Sequence, residues 1–399
     1  MVLRIYHKEL TRKLIIVACG FFVFSPLSSV ITQEILRLPL ALPELLFIPF
    51  LILWRNEIRS VTFNRSIIWL FSFFIILIFI SLLLHNFRTT SILSTSRGYL
   101  YMLISFSIFK GKNNLSIDNI LLVSFGSVLG WCFVSIGRFI EILHKVNTAD
   151  SVTTYGNLIT LSLLVTISIV YGRRKYVVVA IIFGVILALT SGIRRPIVVF
   201  VISAFLSVFF KFNTKLKQSI RTLLIIAAIG FLLYISIKPI ESFLLKTSPL
   251  LYQRIIVKTE QFLSGKFSGS DQYRSKIIKK YFSEIGTYLL PRGFVSKRTV
   301  IDNVGIYMDF PIIELSYMLG IFILAIFLIS FFYYVFRHIG RYILFHNKES
   351  LLWAISGFVM FALLFLEGTY LTYAFITPFT GMIFGKIYTL KNLKESQPE

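Results

Sequence analysis

Residues 67–84 read IIWLFSFFIILIFISLLL. These 18 residues hold no charge, no proline and no glycine. As a helix they rise about 27 Å, close to the roughly 30 Å hydrocarbon core of a bilayer. An uninterrupted apolar run of this length is a membrane span, and the segment sets the reading of its neighbours.

Similar segments recur on both sides of it. The clear ones run Leu14 to Thr32, Ile120 to Ile136, Leu158 to Tyr171, Tyr176 to Thr190, Ile197 to Phe210, Leu223 to Ile237, Pro311 to Phe336, Leu351 to Leu366 and Tyr370 to Phe384. Two weaker ones are Leu36 to Trp54, with Arg37, Glu44 and prolines inside it, and Ser91 to Phe109, which carries Arg97. The expectation is an all-α polytopic membrane protein of about twelve transmembrane helices. Several segments are short, so the bundle is expected to be irregular. The first is read as a permanent helix and not a cleaved leader, because it lacks a small-residue cleavage site.

Composition agrees with this reading. Of 399 residues 56% are hydrophobic and only 15% charged, and the mean hydropathy is +0.80. Soluble domains carry about 25% charged residues. The net charge of +23 would suggest nucleic acid in a soluble chain, but here the basic residues punctuate apolar runs, so no nucleic-acid partner is expected. Two cysteines, Cys19 and Cys132, both in apolar stretches, make neither a disulfide framework nor a zinc site.

Lys and Arg collect in short cytoplasmic loops. With the N-terminus inside, 22 of the 41 fall in cytoplasmic segments, 7 in short outer loops and 12 in one long outer loop, Lys238 to Val304. Both termini are therefore expected in the cytoplasm. The chain divides into an N-terminal bundle of about nine helices (1–237), the long extracytoplasmic loop (238–304) and C-terminal helices with a cytoplasmic tail (305–399).

Three features break the pattern of plain spans. Thr190-Ser191-Gly192-Ile193-Arg194-Arg195-Pro196 places an arginine pair on the outer side by parity. Guanidinium forks bind phosphate bidentately, so the turn offers a diphosphate cradle; the alternative is that the side chains snorkel to lipid headgroups. Gly192 allows close approach of a ligand, and Pro196 suits a first helical position.

The long loop has 12 basic and 5 acidic residues. Leu250, Leu251, Tyr252, Ile255, Ile256, Phe262, Tyr273, Ile277, Ile278, Tyr281 and Phe282 recur between the charges at helical spacing, which predicts amphipathic helices at the outer interface. Such a surface suits an anionic lipid carrier and a sugar chain; simple seating on phospholipid is the other reading.

The third feature, Asp302-Asn303-Val304-Gly305-Ile306-Tyr307-Met308-Asp309-Phe310-Pro311-Ile312-Ile313-Glu314, brings three carboxylates to the outer end of a helix. A carboxylate at a low-dielectric rim can act as a general base or orient a sugar hydroxyl, and Glu314 inside the span needs a partner. Asp309 can equally be the N-cap of a helix beginning at Pro311. No Walker loop, His-Glu-x-x-His or Gly-x-Ser-x-Gly sequence is present, and the acids form no Asp-x-Asp pair. The histidines are few: His7, His338 and His346 fall on the cytoplasmic side, and His85 and His144 suit interfacial positions.

In chain order these features resemble the O-antigen polymerase and ligase group, the Wzy-type polymerases of bacterial surface polysaccharides. In that group a helix ends in a Thr-Gly-Ser-Arg-Gly-Pro-like turn. Ser191 to Pro196 is similar, with Arg194 in the arginine place and Arg195 where a glycine is common. Ser268-Gly269-Ser270-Asp271-Gln272-Tyr273-Arg274 resembles the Ser-x-Arg-like signature of its long loop. The loop's end carries a glycine, here Gly293, and then a His-Asn or Asp-Asn element about eleven residues before a glycine in the next helix. Asp302-Asn303 reproduces the dipeptide, while Asp309 has the spacing, eleven before Gly320. The ligase histidine is absent, which favours polymerase over ligase.

The resemblance spans Thr190 to Ile321 and the overall topology. It implies a GT-C-like bundle in the bacterial cytoplasmic membrane. The implied activity extends capsule or lipopolysaccharide chains by transferring a nascent glycan from undecaprenyl diphosphate to the next lipid-linked repeat unit, without metal or other cofactor. It further implies catalytic roles for Arg194 and for Asp309 or Asp302. Arg194, Arg195, Arg274 and Arg254 would bind the diphosphate, with Tyr307 and Glu314 as acceptor contacts. Membrane lipids, a chain-length regulator and a flippase are the implied partners. An O-antigen ligase and a lipid-linked oligosaccharide flippase are the competing readings, although no internal duplication of the kind a transporter shows is visible.

Overall fold

The computed structural model describes residues 2–38, 42–43, 45, 65–84, 89–110, 116–144, 156–190, 195–212, 257, 269–294, 300–301, 304–305, 310–366, 373 and 375–389. Its helices are α1 (Val2–Val23), α2 (Arg65–Leu84), α3 (Thr89–Phe109), α4 (Ile117–His144), α5 (Leu158–Val170), α6 (Arg174–Thr190), α7 (Arg195–Phe212), α8 (Gly269–Ser283), α9 (Pro311–Leu319), α10 (Ile321–Phe345), α11 (Lys348–Leu366) and α12 (Thr377–Ile387). The one β pairing among the described residues is a two-residue antiparallel ladder, β1 (Val300–Ile301) with β2 (Val304–Gly305).

Four of these helices, α2, α4, α10 and α11, are long and apolar enough to cross a membrane, and a fifth span is made if the bent pair Glu9–Val23 and Leu27–Ile35 counts as one. Large apolar side chains cover their outer faces. Trp69 on α2 is 74% exposed, and Phe322, Ile326, Ile329, Tyr333 and Phe336 repeat every three to four residues along α10. Such stripes suit a hydrocarbon solvent, and with the long apolar helices they are those of a helical membrane protein. Of the twelve expected spans, Leu223 to Ile237 lies outside the described residues, as does most of Leu36 to Trp54.

Three expected spans are not single helices, among them Tyr370 to Phe384, which turns at Phe375 and Ile376 before α12 begins at Thr377. Leu14 to Thr32 bends by 66° where α1 ends. Pro26 has no N–H to give and its ring collides with the preceding turn, while the Ser25 hydroxyl donates to the Phe21 carbonyl. The chain resumes at Leu27–Ser29 and passes into a π-helical turn, Val30–Ile35. Pro311 to Phe336 breaks at Gly320, whose φ of 78° and ψ of 148° end α9 and let α10 start in a new direction.

Small residues set the tightest helix crossings. On α12, Gly381 and Gly385 lie one turn apart; a Cβ on Gly381 would sit 2.1 Å from the Met102 carbonyl oxygen and one on Gly385 2.8 Å from that of Phe106. α12 therefore lies backbone to backbone on α3, where Ser105 donates to the Pro378 carbonyl at 2.5 Å. Gly126 makes the same kind of contact between α4 and α1. Both pairs follow the small-xxx-small spacing of membrane helix interfaces.

The core is centred on α5, which packs against α4, α6, α11 and α12. Twelve of its 13 residues are buried, so its polar side chains look to the protein for partners; among the described residues Thr166 Oγ1 finds none. Asn157 caps it by accepting from the Thr160 amide and donates to the Phe375 carbonyl at 3.1 Å. Thr160 lies 3.0 Å from the Ser127 hydroxyl, and Ser162 accepts from Ser203 at 2.9 Å. The chain divides into two compact units, residues 1–204 with 286–399, and residues 205–285. α8, which contains Gly269 to Arg274 of the Ser-x-Arg-like segment, lies in the second unit.

Candidate functional site

The strongest concentration of polar groups in the first unit forms where the end of the long loop returns to the bundle. After a 3₁₀ turn, Ile285–Tyr288, the chain passes through Leu289 to Phe294 and is held at its last three amides. Arg292 N–H donates to the Tyr317 carbonyl at 3.0 Å and Gly293 N–H to that of Met318 at 3.3 Å. Phe294 N–H donates to the Ser81 hydroxyl at 2.6 Å, and Ser81 in turn donates to the Leu77 carbonyl at 2.5 Å. The Phe294 ring then packs edge-on against Phe74 and tilted against Tyr99, each at 5.3 Å between centroids.

Two glycines make this docking possible. Gly293 has φ 79°, and a Cβ there would meet Ser81 Oγ at 2.2 Å. Gly320 has φ 78°, and its Cβ would meet the Leu289 carbonyl oxygen at 2.7 Å. Left-handed backbone and a close approach of two chains coincide at both positions.

Glu314 lies beside this docked segment, on the first turns of α9. It is 2% exposed, and the Tyr99 hydroxyl of α3 donates to its Oε1 at 3.0 Å. Among the described residues no cation pairs with it. Three residues along α9, on the same face, Tyr317 stacks edge-on with Tyr288 at 5.9 Å between centroids, and its carbonyl accepts from the Arg292 amide. Arg292 Nε also donates to the Thr287 carbonyl at 2.8 Å. The corner thus holds a buried carboxyl and a half-buried guanidinium, each with neutral partners.

Of the residues singled out in the sequence, Glu314 and Gly293 meet in this corner. Arg195 is half-buried and opens α7, so Pro196 occupies the second helical position and not the first. Arg274 lies on α8 in the second unit, where only its backbone is described. The loop helix buries Ile277 and exposes Lys276 and Lys279, but Ile278 and Phe282 of the expected apolar face are exposed as well. Arg194, Arg254, Asp302, Tyr307 and Asp309 lie outside the described residues. The N-cap of α9 is Phe310, in extended conformation and with no side-chain cap. Tyr99, Arg292 and Tyr317 were not singled out, although Arg292 immediately precedes Gly293 and Tyr317 falls at the i+3 position from Glu314.

No group of three or more His, Cys, Asp or Glu side chains gathers as a metal site among the described residues. Fold and surface together define a multi-helix membrane protein. No protein-family model matches the chain, and no curated protein matches it.

Proposed function

We propose that this protein is a membrane glycosyltransferase that polymerises lipid-linked oligosaccharide repeat units at the outer face of the bacterial cytoplasmic membrane. The single observation that best supports this reading is the return of the long loop to the bundle through Gly293 and Gly320, beside the buried Glu314–Tyr99 pair. Such docking gives a loop rich in cationic and aromatic residues a fixed end next to a carboxyl in a low-dielectric setting, which polymerisation on a lipid carrier needs.

In the proposed reaction an acceptor sugar hydroxyl attacks the anomeric carbon of the nascent glycan. The bond from that carbon to the diphosphate oxygen breaks, and undecaprenyl diphosphate departs with the electron pair. Guanidinium groups of Arg194, Arg195 and Arg274 neutralise the departing charge, and Asp309 or Asp302 takes the hydroxyl proton. Arg254 and Tyr307 hold donor and acceptor, and Glu314 orients the acceptor from its position on α9.

The test is to incubate purified full-length protein with lipid-linked repeat units and a metal chelator and to resolve the products on a gel. A ladder is the expected result. Passage of the lipid across a vesicle membrane without a ladder would make the protein a transporter, and transfer to lipid A core without a ladder would make it a ligase.

A further inference from the structure

We propose that Arg292, held by the Thr287 and Tyr317 carbonyls, receives the phosphoryl oxygens of a diphosphate ligand; the identity of the anion rests on the function proposed above. A guanidinium has five N–H donors in a rigid fork. In this protein Nε is committed to the Thr287 carbonyl, and the backbone N–H of the same residue is committed to the Tyr317 carbonyl. Among the described residues no carboxylate pairs with the remaining donors.

Half-burial strips water from this charge, and a cation so placed normally acquires a carboxylate partner. Here the fold supplies only neutral oxygens. It also holds the residue at both ends, because the Arg292 and Gly293 amides are pinned to the carbonyls of Tyr317 and Met318 and Nε to that of Thr287. The conformational entropy that a free arginine would lose on gripping an anion has therefore largely been lost on folding. Fork geometry matched to a planar or tetrahedral oxyanion, with no carboxylate paired to the guanidinium among the described residues, is the chemistry of a phosphate site.

Phosphoryl oxygens reach a membrane protein from two sources, a prenyl diphosphate substrate and a phospholipid headgroup. The experiment separates them by titrating full-length protein with inorganic diphosphate, with farnesyl diphosphate and, in nanodiscs, with phosphatidylglycerol. The thermal unfolding midpoint is followed throughout. The wild type is expected to show a saturable upward shift with both diphosphates. Arg292→Gln weakens the apparent affinity roughly ten- to hundredfold. Arg292→Lys falls between, keeping charge but not the fork.

The proposal is overturned if Arg292→Gln titrates like the wild type. It is also overturned if phosphatidylglycerol alone gives the Arg292-dependent shift. If Arg292→Gln does not fold, Arg292→Lys decides the matter. The titration needs no turnover. Diphosphate binding through Arg292 without a ladder refutes the polymerase and leaves the anion site standing, whereas a ladder with Arg292-independent binding does the reverse.

Discussion

Replacing Gly293 with alanine tests whether the loop end is truly sewn to the bundle. The new methyl would lie 2.2 Å from Ser81 Oγ and 2.8 Å from both the Leu77 carbonyl oxygen and the Ser81 amide nitrogen. The hydroxyl can rotate, but the last two are backbone atoms of α2 and cannot yield. A left-handed conformation costs an L-residue about 1–2 kcal/mol, and forcing a methyl group into a packed interior costs about 1–3 kcal/mol more. The docked state should lose about 2–5 kcal/mol relative to a released one. Release of Leu289 to Phe294 is cheaper than opening the bundle, so helical circular dichroism should stay near that of the wild type. Amide exchange at Gly293 and Phe294 should accelerate roughly thirtyfold to several-thousandfold. Gly286→Ala is the control, because a Cβ there meets nothing within 4 Å. Exchange in Gly293→Ala indistinguishable from that in Gly286→Ala would refute the docking argument.

Three further outcomes are expected. Arg194→Ala should lower the rate of ladder formation by hundreds-fold or more, about 3–4 kcal/mol of lost charge stabilisation, while the protein still partitions into membranes; polymer of normal length would remove the assigned role. Asp302→Asn and Asp309→Asn, compared in the same gel assay, should differ sharply, since only one acid can take the acceptor proton; equal and small effects would exclude both. Gly381→Leu should lower the unfolding midpoint in detergent by opening the α3–α12 crossing, about 1–3 kcal/mol, whereas Gly137→Leu, with nothing within 4 Å of its Cβ, should leave it unchanged.

The helices were legible because hydrocarbon selects for apolar runs whatever the tertiary contacts. Ile67 to Leu84 is α2 with only the first two residues added. Breaks inside apolar runs were harder to see. Gly320 sits in an unbroken hydrophobic stretch, and only its positive φ, imposed by the Leu289–Pro291 backbone packed against it, marks the end of α9. Pro26 did carry a local signal that outweighed the apolar run around it. The Gly381–Gly385 and Gly126–Gly130 spacings are likewise readable as close helix contacts, yet which helices they join depends on the whole bundle. In the candidate site, Glu314 stood out because an acid in a span demands a partner. Tyr99 could not be named as that partner, since 215 residues separate the two and a tyrosine among apolar residues has no distinguishing pattern.

The corner raises a question of why its two ionisable side chains do not neutralise each other. The Arg292 amide donates to the Tyr317 carbonyl, and Tyr317 is three residues from Glu314 on α9, yet the guanidinium is held by the Thr287 carbonyl and the carboxyl by Tyr99. Were the role of these groups only to hold the bundle together, apolar side chains of similar volume would do as well or better, because burying polar and charged groups costs several kcal/mol of hydration. Keeping them apart leaves each with hydrogen-bonding capacity for a third party. The combination Tyr99→Phe, Glu314→Leu and Arg292→Met removes the polar groups together and so avoids stranding a single buried charge. Its unfolding midpoint should equal or exceed that of the wild type, while diphosphate binding and ladder formation are lost. A collapse of stability in that variant would show that the groups serve the fold, and the functional assignment of this corner would fall with it.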